Sequence, residues 1–392
     1  MQMTAFLLLW LATQAVAVLL IWIFTIGLGR SPRLATTPRI AVIVAVKGHN
    51  EEFDRFLEHL FAQDYPNYRV IFAVEAADDP AVAPIESWRA KLSDRVTLVI
   101  GNLPDDEGQK IANLRAGLTQ VTTNDEVIVF ADADIRPSRD WLRYLVAPLL
   151  DGKADLVSGF AWLVVKDRSF SSFVMASMAA TMVTVPRLPF LNAAWGGSVA
   201  MFRERCEALD LREAWRGTLC DDLHLTATAQ RAGYTIAAPR EILPRLFVTT
   251  RGFGDVAADA LRWLMFFRIY MPATYFLVMI GITFAAAGWI IALLGTLAGH
   301  RLAIAVLLAA FALAVLRTAG RAVIVARLWG RSGLDENRLF LLFDPFVTPI
   351  AAIANAIYGW WAMFMRQTTW AGITYEIMGP KQIRVLSRRS PL

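Results

Sequence analysis

Three pairs of carboxylates stand where a fold would leave them open to a ligand: Asp78-Asp79, Asp132-Ala133-Asp134 and Asp221-Asp222. The middle pair says most. Val127 to Phe130 are β-branched or aromatic, as in a buried strand. They run into two aspartates one residue apart, and Pro137 then forbids the strand from continuing. Such a strand ends with hard oxygen donors at the carboxyl edge of a sheet, where open α/β sheets bind ligands. Two of these oxygens suit Mg²⁺ or Mn²⁺ carrying a diphosphate. An acidic turn without a ligand is the alternative, since Asp is common in turns. Together the pairs form a coherent site. Asp79 could accept hydrogen bonds from a base or ribose, Asp132 and Asp134 could hold the metal, and Asp222 could deprotonate an acceptor hydroxyl. The metal would stabilise charge growing on a departing diphosphate, and Lys110 and Arg262 could add positive charge. Plainer readings stay open: Asp221 and Asp222 as a cap pair at a helix start, Arg262 and Trp263 as side chains snorkelling at a membrane surface. His49 and His224 are isolated and read as packing or hydrogen-bonding residues.

The elements that must position these residues run from Arg39 to about Thr250. Strands are predicted at Ile40–Val46, Tyr68–Val74, Val96–Ile100, Val127 onward, Asp155–Val165 and Val199–Phe202. Helical stretches separate them, so βαβ units and a mainly parallel, doubly wound sheet follow. Neither Gly-x-Gly-x-x-Gly nor Gly-x-x-x-x-Gly-Lys-Ser/Thr occurs, which weakens the dinucleotide and P-loop readings. Trp195-Gly196-Gly197-Ser198 reads as a turn. The helix opening at Asp221-Asp222 runs to Arg231 and is ended by Gly233.

Composition says where this domain lives. The 392 residues are 56% hydrophobic with only 19% charged, and mean hydropathy is +0.45, too apolar for a soluble enzyme of this length. The net charge of +5, beside long apolar runs, points to a membrane surface and not to nucleic acid. Two cysteines, Cys206 and Cys220, give neither a disulfide framework nor a zinc spacing, which suits a reducing compartment.

Residues 1–29 are expected to anchor the chain, since about 20 apolar residues span a bilayer. Arg30, Arg33 and Arg39 follow and put the next domain, residues 39–250, in the cytoplasm. Phe170 to Val185 reads either as a helix half-buried near the membrane or as a core helix. Residues 251–274 suit an interfacial amphipathic helix. Residues 275–365 carry three apolar spans, Tyr275–Leu297, Leu302–Ala326 and Leu339–Phe364, the last with an expensive carboxylate, Asp344. Residues 366–392 form a basic tail. Its Lys381, Arg384, Arg388 and Arg389 favour the cytoplasm, whereas three crossings leave it outside. Either the third segment is a hairpin broken near Pro345 and Pro349, or the charge rule fails. Arginine far outnumbers the six lysines, a bias that goes with a GC-rich bacterial genome and hence a bacterial inner membrane.

In order along the chain, Val46-Lys47-Gly48, Asp64-Tyr65-Pro66-x-Tyr68-x-Val70, Asp78-Asp79-Pro80-Ala81, Lys110-Ile111-x-Asn113-Leu114-x-x-Gly117, Asp132, the pair ending in Asp222, and Arg262-Trp263 resemble the membrane GT-A glycosyltransferases of the ceramide glucosyltransferase group. The resemblance covers Arg39 to Tyr270, and the flanking apolar segments in outline. It implies a GT-A (Rossmann-like, nucleotide-sugar-binding) α/β domain with α-helical transmembrane segments. It also implies inverting transfer of a hexose, glucose first, from a UDP-sugar to a lipid hydroxyl, ceramide first, with Mg²⁺ or Mn²⁺. Carried over by position, Lys47, Asp79, Lys110, Asp132, Arg262 and Trp263 bind the donor, Asp132 with Asp134 holds the metal, and Asp222 with its neighbour Asp221 is catalytic.

One departure stands out. Asp259 occupies a place where Gln or Arg is expected, and a carboxylate there would repel a diphosphate unless it pairs with Arg262 at helical spacing. Diacylglycerol, a hopanoid or a polyprenyl phosphate are alternative acceptors. A membrane nucleotide-sugar sensor is the alternative of a different class. A polysaccharide synthase and a transporter fit less well.

Overall fold

The computed structural model describes residues 2–183 and 192–388. Among the described residues ten strands shape the α/β domain: β1 (Ile40–Ala45), β2 (Tyr68–Val74), β3 (Val96–Ile100), β4 (Val127–Asp132), β5 (Ile135–Arg136), β6 (Leu156–Ser158), β7 (Trp162–Val165), β8 (Ser198–Phe202), β9 (Ile236–Ala237) and β10 (Arg245–Val248). Seven form the main sheet, in the order β3-β2-β1-β4-β8-β6-β9. Ile40 to Val44 of β1 are all fully buried, as a parallel strand covered on both faces must be. Burial of each Ile or Val contributes about 1.5–3 kcal/mol.

The sheet turns in opposite directions on either side of β1, towards β2 and towards β4, both parallel to it. That makes a topological switch point, and ligands bind at the carboxyl edge of such points. The register sets Ala45 opposite Asp132, so the loop after β1 and the acidic end of β4 emerge side by side.

Two strand expectations are corrected. The sheet is not parallel throughout, because β8 runs antiparallel between β4 and β6. The single strand expected over Asp155–Val165 is two strands in different sheets, since β7 joins β10 and β5. The break is at Gly159, where a Cβ would lie 2.6 Å from the Ile242 carbonyl oxygen.

The helix Phe170–Val183 is a core helix, with Ser172, Val174 and Val183 fully buried, and not one half-exposed at a surface. The expected final residues Thr184 and Val185 lie outside the described residues.

Among the described residues three helices, Gln2–Thr25, Pro272–Leu297 and Arg301–Ala362, are long and apolar enough to cross a membrane. The last merges the second and third expected spans and bends at Gly330, whose φ of 64° breaks the helical path. Past the bend, Asp344 is fully buried and paired with Arg321, with hydroxyls of Ser177 (2.8 Å) and Thr318 (2.6 Å) donating to it.

Both ends of this second half touch the α/β domain or the helix docked on it. Glu336 pairs with Arg245 at 2.7 Å, and Trp162 Nε1 donates to Asn337 Oδ1 at 3.0 Å. At the far end the Arg268 guanidinium donates to the carbonyls of Met363 and Met365. The region read only for its basic charge then folds into an antiparallel sheet, β11 (Gln367–Trp370), β12 (Ile373–Gly379) and β13 (Gln382–Arg388). Arg389 lies outside the described residues.

Candidate active site

Lys110 sits at the centre of the cleft. It is the second residue of the helix Gln109–Leu118, which lies close on β1 because Gly117 faces Ile43. A Cβ there would come within 2.5 Å of the Ile43 side chain. The helix start is thereby held at the carboxyl edge, and Lys110 Nζ reaches Asp132 Oδ1 at 2.7 Å and Asp221 Oδ2 at 3.0 Å. Burial alone would lower the pKa of the ammonium, but the charges of Asp132, Asp221 and Asp222 outweigh it and raise that pKa. Two of the three predicted acidic pairs thus meet on one lysine.

The second pair opens the helix Asp221–Arg231. Asp221 is buried, and burial pushes its carboxyl up to about 6 against the pull of Lys110. Asp222 is only half-buried and is held by three donors: Leu223 N–H at 2.7 Å, Cys220 Sγ at 2.8 Å and Gly196 N–H at 3.2 Å. Neither side chain caps the helix in the usual way, with an oxygen on an N–H two or three residues on. Asp134 is exposed in the turn between β4 and β5, with protein atoms crowding its carboxyl. This desolvation, and then the Asp132 charge, push its carboxyl up to about 7.

The third pair is elsewhere engaged. Asp79 Oδ1 accepts from the backbone N–H of Gly48 (3.0 Å) and of Ala81 (2.8 Å), tying the loop after β1 to the loop after β2. Gly48 has φ 72°, a conformation that favours glycine. Lys47 pairs with Glu75. Asp79 and Lys47 therefore hold together the loops that follow β1 and β2 at the carboxyl edge of the sheet.

The sequence model of glycosyl transferase family 21 matches residues 3–383 of this chain. The chain belongs to glycosyl transferase family 21. Its α/β domain has the GT-A layout expected from the resemblance. Among curated proteins none matches this family 21 transferase at a significant level. Among solved structures it is similar to the mannosyltransferase PcManGT from Pyrobaculum calidifontis, in complex with GDP-Man and Mn²⁺. The identity is 20%, 92% of this chain and 99% of that one are covered, and the TM-score is 0.47. It is also similar to GalNAc-T7 with UDP, GalNAc and Mn²⁺ (12% identity, 55% and 44% covered, TM-score 0.42) and to S. aureus TarS 1-349 (13%, 90% and 100%, 0.38). With scores under 0.5 these likenesses add nothing to the fold already visible in the sheet.

The transferase carries its last predicted pair, Arg262 and Trp263, on the helix Phe253–Tyr270, which docks on the domain where Tyr270 Oη accepts from Leu219 N–H at 2.9 Å. Arg262 pairs with Asp259 at 2.7 Å, so the unexpected carboxylate takes the helical-spacing partner that the sequence offers. Trp263 is 42% exposed, and among the described residues no ring contact or hydrogen bond ties it to the cleft.

Sequence reasoning missed Gly196, read as an ordinary turn. A Cβ there would overlap Asp221 Oδ2 at 2.1 Å and crowd Lys110 Nζ at 2.9 Å, so only bare backbone fits between the acidic pair and the lysine. The doubled glycine after Trp195 was the available signal. It also missed Gln109, whose backbone N–H donates to Tyr375 Oη at 3.1 Å across 266 residues. No local pattern announces such a contact.

Proposed function

We propose that this transferase moves a hexose, glucose first among candidates, from a UDP-sugar to the hydroxyl of a membrane lipid, ceramide first among candidates, by one inverting displacement with Asp222 as the base. The observation that carries this reading is the meeting of Asp132 and Asp221 on Lys110, within the electrostatic reach of Asp134 and Asp222. So many carboxylates around one lysine make a cation site without a full protein ligand set, and among the described residues no group of three metal-ligating side chains forms. Mg²⁺ commonly takes one or two carboxylates and completes its shell with substrate phosphates. The residues therefore fit such an ion, with Asp132 and Asp134 holding it, and a repelled carboxylate like Asp134 is what a cation relieves. A bound Mg²⁺ or Mn²⁺ would neutralise charge on the leaving diphosphate. Asp222, half-open and oriented by three donors, suits proton removal from an incoming hydroxyl better than buried Asp221.

A groove of about 310 Å³ beside Arg262 supports a lipid acceptor, since Leu261, Met265 and Met365 line it with Thr368 and Thr369. A larger cavity of about 500 Å³ is lined mainly by charged side chains, among them Glu51, Arg55, Arg136, Lys166 and Glu336. We assign the acceptor to the smaller, more apolar groove for that reason.

We further propose that the α/β domain faces the cytoplasm of a bacterium and that residues 331–362 lie along the inner-membrane surface instead of crossing it. Both ends of that segment rest on the catalytic side, which returns the basic tail to the side that its charge favours. Ser387→Cys should then be labelled by a membrane-impermeant thiol reagent only in opened vesicles. Labelling in intact cells would sink this topology.

The reaction itself is tested with membranes bearing the protein, labelled UDP-glucose or UDP-galactose, and ceramide or diacylglycerol with Mg²⁺ or Mn²⁺. Lipid-extractable label should form and disappear with EDTA. Tight UDP binding with no transfer to any lipid would replace the transferase reading with that of a nucleotide-sugar sensor.

A further inference from the structure

The C-terminal sheet is fastened to the residue next to the cleft lysine. Tyr375, fully buried, holds the Gln109 backbone N–H, and Arg388 Nη1 donates to Gln109 Oε1 at 2.8 Å while its Nη2 donates to the Pro104 carbonyl. The Val385 N–H donates to the Asp105 carbonyl at 2.9 Å. The core of this sheet is Ile373, Tyr375, Ile377 and Ile383. Trp370 is only partly buried and ends the edge strand β11.

Its ring faces two cations from different parts of the chain. Arg262 Cζ lies 5.5 Å from the ring centroid and Lys110 Nζ lies 6.0 Å from it. Phe266 meets the same ring edge-on at 6.2 Å and supports its orientation. An indole face attracts cations at this range. The two cations would otherwise repel each other. Here each also has carboxylate partners, Asp259 for Arg262, and Asp132 with Asp221 for Lys110.

We propose that Trp370 is a positioning residue for the donor site: its ring holds Arg262 and Lys110 on one side of the cleft, where a nucleoside diphosphate would meet both charges. The C-terminal sheet is then a wall of the active site. The proposal rests on the donor reading above and goes beyond it, because it assigns a role to a segment that lies far from the sheet edge in sequence.

Each cation–π contact at a partly exposed site is worth about a two- to fivefold change in an equilibrium, so losing both should weaken diphosphate binding about tenfold. The test compares full-length wild type with Trp370→Leu, which keeps apolar bulk but no π face, and Trp370→Phe, which keeps a ring. Equilibrium binding of UDP with Mg²⁺, donor KM, kcat and thermal midpoint are measured. Trp370→Leu should lose about tenfold in UDP affinity and donor KM with kcat changed by less than about threefold, and Trp370→Phe should recover most of the loss. Unchanged UDP affinity in Trp370→Leu would overturn the proposal. So would equal losses in both variants accompanied by a lowered thermal midpoint, which would mark a purely structural tryptophan. A wild type that binds UDP but transfers no sugar would remove the transferase reading alone, and the UDP affinities would still decide the role of Trp370.

Discussion

In the cleft one lysine faces Asp132, Asp221 and their neighbours Asp134 and Asp222, whereas between the apolar helices Arg317 and Arg321 face one carboxylate, Asp344. Both set basic side chains against aspartates, but the balance is reversed. The first cluster is negative in sum and keeps Asp134 exposed and Asp222 half-open. The second is positive in sum, and its Arg321–Asp344 pair is wholly out of contact with solvent. Asp344 is also satisfied by Ser177 and Thr318, and Arg317 reaches Thr348 at 3.0 Å. An open cluster with surplus charge can accept a ligand at the cost of little rearrangement. A closed one has already spent its charge on holding helices together, since a buried ion pair must offset the desolvation of both groups. A buried carboxylate in an apolar helix is a functional candidate; here its partners make it a bolt between the helix Phe170–Val183 and the bent helix.

That contrast predicts opposite phenotypes. Asp222→Asn should lower turnover by a factor of about 10² or more and leave UDP affinity nearly unchanged, as single-turnover and binding assays would record. Unchanged turnover would sink the base assignment. Asp344→Asn should do the reverse. Removing one partner of a buried pair costs about 3–5 kcal/mol of stability, visible as a lowered unfolding midpoint in detergent, while the molecules that remain folded keep their kcat. Replacing Arg321 and Asp344 together by apolar residues should recover much of that loss. If Asp344→Asn instead abolished turnover at unchanged stability, the buried cluster would be part of the chemistry and the contrast would fail.

What could be read in advance follows the same division between local and distant signals. β1, β2, β3 and β4 were legible to within a residue or two because continuous apolar runs bounded by turn residues specify buried strands over a short window. The meeting of Asp132 with Asp221 was legible only as an idea, since it depends on Gly196 clearing room for both around Lys110. The C-terminal sheet was not anticipated. Its alternation, with Ile373, Tyr375 and Ile377 buried and Thr374 and Glu376 between them, is a period-two signal, but seven-residue strands beside a run of arginines were read for their charge. The gap between the second and third expected spans does hold a break, at Gly330, but that the helix otherwise runs on through the gap was hidden, because hydropathy does not say whether a helix continues between two spans. Distant closure therefore escaped where local patterning did not.

Between the two clusters lies an intermediate case, the Asp259–Arg262 pair at 2.7 Å, with Arg262 16% and Asp259 33% exposed. A pair this open is worth only about 0.2–1 kcal/mol, so neither fold nor chemistry should depend on it. Its effect should fall on the charge that Arg262 presents to the cleft. Asp259→Arg removes the neutralising partner and adds a cation one helical turn away, so donor KM should fall by up to about fivefold at low salt. The gain should shrink as ionic strength rises and the Debye length falls to about 8 Å at 0.15 M, while kcat and thermal midpoint stay put. A KM that does not move at any salt concentration would mean that Asp259 neither restrains Arg262 nor faces the diphosphate, and the pair would then belong with the closed cluster as a purely structural contact.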